Sequence, residues 1–146
     1  MSAVKPIPDG FHTVTPYLLV KDVRKQIDFL KRAFNATEIM CHDFGDGHVH
    51  AEVKIGDSMI MIGQMDSASP TMLYLYVNDS DAEFKRAIAA GGVAVEAISD
   101  KFYGDRSGGV KDPLGNTWWV STHREDVPRE EMRKRMAAKP VNAAGI

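Results

Sequence analysis

The residues best suited to hold a metal ion stand close together in the first half of the chain. His48, His50 and Glu52 alternate along a run that reads as a β-strand, so their side chains are expected on one face. Two histidines at i and i+2 beside a carboxylate form a donor set that zinc accepts. The alternative is that this strand lies at a sheet edge, where polar side chains are commonly solvated. We predict no cofactor and keep a divalent metal at these three residues as the alternative.

Nucleophilic and acid–base chemistry has less support. Cys41 and His42 are adjacent, and adjacent residues on a strand face opposite sides, so they do not form a nucleophile and base. His12, His42 and His123 are isolated in sequence and are interpreted as surface or structural histidines. The sequence therefore identifies no catalytic residue, and it leaves open whether the protein is an enzyme.

Aromatic and sulfur-containing side chains form a second group with a chemical use. They recur on apolar segments in both halves of the chain, at Tyr17, Met59, Met61, Met72, Tyr74, Tyr76 and Trp119. Aromatic rings offer flat contact area and methionine adapts to irregular shapes, a composition typical of a pocket for a flat hydrophobic molecule. The alternative is that these side chains are simply core.

Strand alternation separates the two adjacent tryptophans of "NTWWVSTH". Residues at i and i+2 share a face, so Trp119 and His123 point one way, while Trp118 and Val120 point the other. We predict that Trp118 and Trp119 lie on opposite faces of this strand and have different surroundings.

Two similar units are predicted to position these residues. A strand over 14–20 leads to a helix that Asp22 caps and Asn35 ends, followed by a hairpin over 48–62. In the second half, a strand over 72–77 leads to a helix that opens with the capping box Ser80 to Glu83 and stops at Gly91-Gly92. "LLVKD" matches "LYVND" at a constant offset. The pattern predicts an α+β fold with modules at about 12–65 and 70–123 and a final helix at about 127–139.

Composition limits the partners. The chain has 146 residues, enough for one domain, with a net charge of −2 and one cysteine. No basic field favours nucleic acid, and no apolar run approaches a membrane span, so neither partner is expected. A lone cysteine without a signal-peptide pattern favours a cytoplasmic protein.

The paired modules, "TPYLLVKDVRKQIDFL" and "DRSGGVKDPLGNTWWVSTH" resemble the vicinal oxygen chelate superfamily of glyoxalases, bleomycin resistance proteins and extradiol dioxygenases. The run that continues through "THREDVPREEMRKR" is similar to its PhnB-like subgroup. The resemblance implies a single domain over 1–146, in which two βαβββ modules form a cupped mixed sheet with helices outside. It also implies a homodimer.

The resemblance places the family's metal ligands at Thr15, Met61, Met72 and Trp119, none of which is a histidine or carboxylate donor. We therefore predict a metal-free cup that binds a small, partly aromatic or apolar molecule, in sequestration or resistance. The alternative is a metal-dependent lyase, isomerase or dioxygenase. Arg106, beside Asp105 at the mouth of the last hairpin, is interpreted as a rim residue or as one half of a surface ion pair. The predicted ligand contacts are Tyr17, Met61, Met72, Tyr74, Tyr76, Tyr103, Arg106 and Trp119.

Overall fold

The computed structural model describes residues 3–138 and contains two βαβββ units followed by a helix. The first unit comprises β1 (Tyr17–Val20), α1 (Val23–Phe34), β2 (Thr37–Asp43), β3 (Val49–Ile55) and β4 (Ser58–Gln64). The second comprises β5 (Met72–Tyr76), α2 (Ser80–Ala89), β6 (Val93–Asp100), β7 (Asp105–Lys111) and β8 (Thr117–His123), and α3 (Arg129–Ala137) follows it. The α+β prediction with two such units is confirmed. The last predicted residue of the final helix lies outside the described residues.

The helix ends follow from local hydrogen bonds. Asp22 caps α1 by accepting a hydrogen bond from the Lys25 amide at 3.0 Å, and Asn35 ends that helix in the left-handed region at φ 56°. The predicted start of α2 is wrong by one residue. Asp79 is the N-cap, accepting from the Ala82 amide at 3.1 Å, and Ser80 is already helical.

Each unit forms its own four-stranded mixed sheet. The strand orders are β1-β4-β3-β2 and β5-β8-β7-β6, with β1–β4 and β5–β8 parallel and the other pairs antiparallel. The strand that carries His50 and Glu52 is β3, which lies between β4 and β2, so the expectation of a sheet edge there is wrong. His48 precedes β3 and is not part of the strand.

The core lies between the helices and the sheets, and the two units share it. Helices α1 and α2 pack against each other. Phe34 at the end of α1 contacts Trp118 of β8, with 5.3 Å between ring centroids, and both residues belong to the buried cluster. Because both units turn their helical sides toward this core, the opposite faces of the two sheets are left for other contacts.

A buried polar network ties the β7–β8 turn to the first unit. Asp112 Oδ1 accepts hydrogen bonds from the amides of Leu114 and Asn116, at 2.8 and 3.0 Å. Its Oδ2 accepts from Gln26 Nε2 of α1 and from Trp118 Nε1, both at 2.9 Å. Asn116 Nδ2 in turn donates to Gln26 Oε1 at 2.9 Å. The turn that aims β8 is thereby fixed to α1.

Candidate functional site

Four predicted ligand contacts come together on the second sheet. Met72, Tyr74 and Tyr76 of β5 share a face with Trp119 of β8, and we call this surface the β5–β8 face. Tyr74 pairs with Trp119 across the parallel strands, and Trp119 Nε1 donates to Met72 Sδ at 3.0 Å. Trp118 is fully buried, whereas Trp119 is partly exposed. The side-chain alternation predicted for the last strand is confirmed.

A glycine makes room for the Trp119 ring. Gly109 of β7 pairs with Trp119, and a Cβ atom there would lie 3.3 Å from the ring and 2.6 Å from Val95 Cγ2. Any larger residue would push Val95 or the indole aside. Lys101 Nζ stands 6.0 Å from the ring centroid of Trp119 and forms an ion pair with Glu96 at 2.8 Å.

A carboxylate lies beneath the tyrosine end of the β5–β8 face. Asp105 is 3% exposed, and its Oδ2 accepts hydrogen bonds from the hydroxyls of Tyr74 and Tyr76, at 2.7 and 2.9 Å. Tyr103 adds a third hydroxyl, 3.5 Å from that of Tyr74. These four residues line a cavity of about 280 Å³, which we call the tyrosine pocket.

His123 of β8 contacts the Asp105 carboxylate, and we call Asp105, His123, Asp126 and the three tyrosines of the pocket the cluster. His123 Nδ1 lies 2.8 Å from Asp105 Oδ1, and its Nε2 lies 2.7 Å from Asp126 Oδ1. Hydrogen bonds to Asp126 and Asp105 raise the pKa of the imidazole above its usual value. A raised pKa favours the protonated imidazole, whose charge balances those of the two carboxylates.

The ionisation of the cluster follows from its contacts. Burial opposes ionisation of Asp105, but hydrogen bonds from His123, Tyr74 and Tyr76 outweigh it and hold the pKa of the carboxyl below its usual range. Burial, together with the hydrogen bond to Asp105, raises the pKa of Tyr76 to about 12. Burial also raises the pKa of Tyr103. Near neutral pH the pocket therefore holds the ionised carboxylate of Asp105 and the neutral phenols of Tyr76 and Tyr103.

Sequence reasoning missed the pairing of Asp105 with His123. The signal was the hairpin register, because counting outward from the 112–116 turn sets Lys111 opposite Thr117 and Asp105 opposite His123. Cys41 and His42 remain apart as expected, since Cys41 packs on the core while the His42 ring stacks on Phe44.

Three other predicted positions lie elsewhere. The Arg106 guanidinium makes two hydrogen bonds to Asp81 of α2, at 2.8 and 3.0 Å, and one to Asp100 at 3.2 Å, so it forms the ion pair given above as the alternative. Tyr17 and Met61 pair with each other on the first sheet. Within residues 3–138, no hydrogen bond or ring contact joins either of them to the β5–β8 face.

The candidate metal residues are partly engaged with one another. His50 Nδ1 lies 3.0 Å from the Tyr17 hydroxyl, and its Nε2 lies 3.4 Å from Glu52 Oε2. In the part of the chain that the structure describes, no three His, Cys, Asp or Glu side chains are grouped to hold a metal ion. No helix among residues 3–138 is long and apolar enough to cross a membrane.

Comparison with known proteins gives one family. The model described as Glyoxalase/Bleomycin resistance protein/Dioxygenase superfamily matches residues 10–120. An uncharacterized protein of Mycobacterium bovis, Mb0911c, is 34% identical over 141 residues, covering 86% of this chain and 93% of that protein.

Solved structures share the fold. TioX from Micromonospora sp. ML1 superposes with a TM-score of 0.68 at 24% identity, covering 77% of this chain and 98% of its own. A mutant of the fosfomycin resistance protein FosX from Listeria monocytogenes, complexed with Mn(II) and 1S,2S-dihydroxypropylphosphonic acid, has a TM-score of 0.61 at 23% identity. That match covers 86% of this chain and 97% of FosX.

Proposed function

The chain belongs to the glyoxalase/bleomycin resistance protein/dioxygenase superfamily, and we propose that it binds a small, partly aromatic or apolar molecule on the β5–β8 face, in sequestration or resistance. The observation that carries this proposal is the row of large side chains left open there. Met72 is 55% exposed and Tyr76 63% exposed, beside the partly exposed rings of Tyr74 and Trp119. Contiguous exposed apolar surface of this kind marks binding sites.

We propose that this binding needs no metal ion. Thr15, Met61, Met72 and Trp119 stand at the positions that the family resemblance assigns to metal ligands. Threonine, thioether and indole side chains are poor ligands for the divalent ions that such sites hold through imidazole and carboxylate groups. The donor set therefore supports binding through apolar contact.

A metal-dependent lyase, isomerase or dioxygenase is the second candidate. One observation favours it. Glu52 pairs with Met61 across the strands and lies beside His50, so two possible metal donors adjoin one position that the family resemblance assigns to a metal ligand. Metal analysis of purified protein separates the two functions. The metal-free proposal expects no stoichiometric transition metal and a melting temperature that chelator leaves unchanged. A tightly held ion whose removal lowers the melting temperature supports the second candidate.

We further propose that the protein is a homodimer whose partner completes the cup. Each chain leaves open the β5–β8 face and the face of the first sheet that carries Tyr17, which is 48% exposed. In a dimer with two-fold symmetry, the first sheet of each copy can cover the β5–β8 face of the other copy, so that two equivalent cups form. This would bring Tyr17 and Met61 to the ligand. We also assign the chain to the PhnB-like subgroup on the run 105–135, and to the cytoplasm on its single cysteine and the lack of a signal-peptide pattern.

The proposed function is tested by a thermal-shift screen against antibiotics, aromatic metabolites and divalent metals. A ligand of the folded state at 100 times its Kd stabilises it by about 2.7 kcal/mol, enough to raise the melting temperature. Phe44→Leu removes an exposed ring outside the site and serves as the matched control. We expect an organic ligand to stabilise the wild type and this control but not Trp119→Ala. Stabilisation by metals alone, or an undiminished response in Trp119→Ala, would contradict the proposal.

A further inference from the structure

We propose that the ligand of the β5–β8 face carries a positively charged nitrogen, an ammonium or quaternary ammonium group, which binds in the tyrosine pocket formed by Tyr74, Tyr76, Tyr103 and Asp105. This inference rests on the proposed function and deepens it by naming the chemical class of the ligand. The flat or apolar body of that ligand would lie along Trp119 and Met72, and its cationic end would lie among the tyrosines.

Hydrogen-bond polarity is the first argument. A phenol has one hydrogen to donate, and Tyr74 and Tyr76 both spend theirs on Asp105 Oδ2. The Tyr103 hydroxyl lies 3.5 Å from that of Tyr74, too far for a firm hydrogen bond, so its hydrogen is the one that the pocket leaves available. The other two phenols present oxygen lone pairs above the buried carboxylate. Such a surface accepts from a cationic N–H group or attracts a quaternary ammonium, and it offers an anion a single donor.

Charge is the second argument. The ionised Asp105 is buried beneath the pocket, and its counter-ion His123 is shared with Asp126. With His123 protonated, the cluster keeps one net negative charge, and deprotonation of His123 would add a second. Three cations lie near the pocket: Lys101 pairs with Glu96, Arg106 pairs with Asp81, and Arg124 lines a cavity together with Asp105 and Glu125. The local field therefore favours a cationic ligand.

The aromatic surroundings are the third argument. Tyr74 and Tyr76 have ring centroids 5.2 Å apart with planes tilted by 54°, and Tyr103 adds a third aromatic side chain to the same open pocket. Ring faces attract cations through their quadrupoles, and clusters of aromatic side chains bind methylated ammonium groups. A volume of about 280 Å³ accommodates a trimethylammonium head.

The test compares three probes of one shape. Phenethyltrimethylammonium carries the charge, (3,3-dimethylbutyl)benzene replaces its nitrogen by carbon, and 2-phenylethanesulfonate reverses the charge. Affinities are measured by tryptophan emission or ligand-observed NMR. We expect the cation to bind at least tenfold more tightly than the carbon isostere, and the sulfonate to bind more weakly than both.

Substitutions in the tyrosine pocket test whether the preference for the cationic probe arises there. Asp105→Asn should reduce the affinity for the cation at least tenfold and leave that for the isostere unchanged. Because Asp105 is buried and its substitution disturbs several hydrogen bonds, Tyr76→Leu provides a second test at a largely exposed position. The control Phe44→Leu should retain the wild-type preference.

Each result decides between the inference and the function on which it rests. Equal affinity for cation and isostere would overturn the inference while leaving the apolar binding function in place. The inference would also be overturned, and the apolar binding function kept, if neither the cation nor its isostere binds and the thermal-shift screen yields an uncharged ligand. Failure of these probes together with an empty screen would overturn both. Tightest binding of the sulfonate would also overturn the inference.

Discussion

At the scale of single residues, Trp118 and Trp119 illustrate how far alternation predicts environment. Trp118 is fully buried against Phe34 and donates to Asp112, while its neighbour lies on the open face. Trp118→Ala should lower the free energy of unfolding by roughly 3 to 5 kcal/mol, as truncation of a core aromatic does. Trp119→Ala should cost clearly less. Chemical denaturation of both variants measures this, and a larger loss in Trp119→Ala would mean that the two roles are exchanged.

The Asp105–His123 pair should make stability depend on pH from both sides. His123 has a raised pKa, so its contribution is complete below about pH 6.5 and is lost as pH rises through the raised value. Asp105 has a lowered pKa, so its contribution is present above the usual carboxyl range and is lost as pH falls through the lowered value.

We therefore expect His123→Gln to flatten the fall in melting temperature on the alkaline side, measured by thermal melts between pH 5 and 9. Parallel wild-type and variant curves across that range would show that the imidazole contributes nothing through its charge.

The residue types of the site were predictable, but their polar partners were not. Tyr74, Tyr76 and Trp119 follow from strand alternation, which is local. The role of Asp105 depends on its hydrogen bonds with hydroxyls on a strand about thirty positions earlier. The role of Arg106 depends on its ion pair with Asp81 on a helix. Such contacts depend on how elements pack, which periodicity does not encode.

At the scale of elements, Gln26 joins the two units. It is fully buried on α1 and bonds to Asp112 and Asn116 at the β7–β8 turn. Gln26→Leu keeps the approximate volume but leaves two buried polar groups each short of a partner. At about 1 to 3 kcal/mol for each unsatisfied group, the loss should be roughly 2 kcal/mol or more.

Gln64→Leu, the same change at an exposed position of β4, is the matched control and should be nearly neutral. Urea denaturation compares the two variants. Equal midpoints would show that the network does not couple the units.

Elements themselves were largely predictable, and their order in the sheets was not. Both units could be predicted from the repeated strand–helix–hairpin pattern, because each half has the same apolar periodicities and turn residues. The prediction that β3 lies at a sheet edge was wrong for a physical reason. The polar residues His50 and Glu52 on one face indicated a solvated strand, but the other face carries the buried Ala51 and Val53 and the strand lies inside the sheet. The one-residue error at Asp79 arose because Asp and Ser are both good caps.

At the scale of the whole molecule, the proposed dimer is the main consequence of the two open faces. Sedimentation at micromolar concentration should give twice the mass of one chain. Val95→Lys, which places a charge beside Trp119 at a half-exposed position, should shift the equilibrium toward monomer because a buried unpaired charge is costly. A wild-type monomer under these conditions would contradict the proposed cup.

The most direct test of ligand binding on the β5–β8 face uses the fact that the chain has only two tryptophans. Trp118→Phe leaves Trp119 as the sole indole, and Trp119→Phe leaves Trp118 buried in the core. The organic ligand found in the screen is titrated into both variants while indole emission is recorded. We expect a saturable change in Trp118→Phe and none in Trp119→Phe. A change confined to Trp119→Phe would contradict it, because the ligand would then act on the helix-covered side of the sheet.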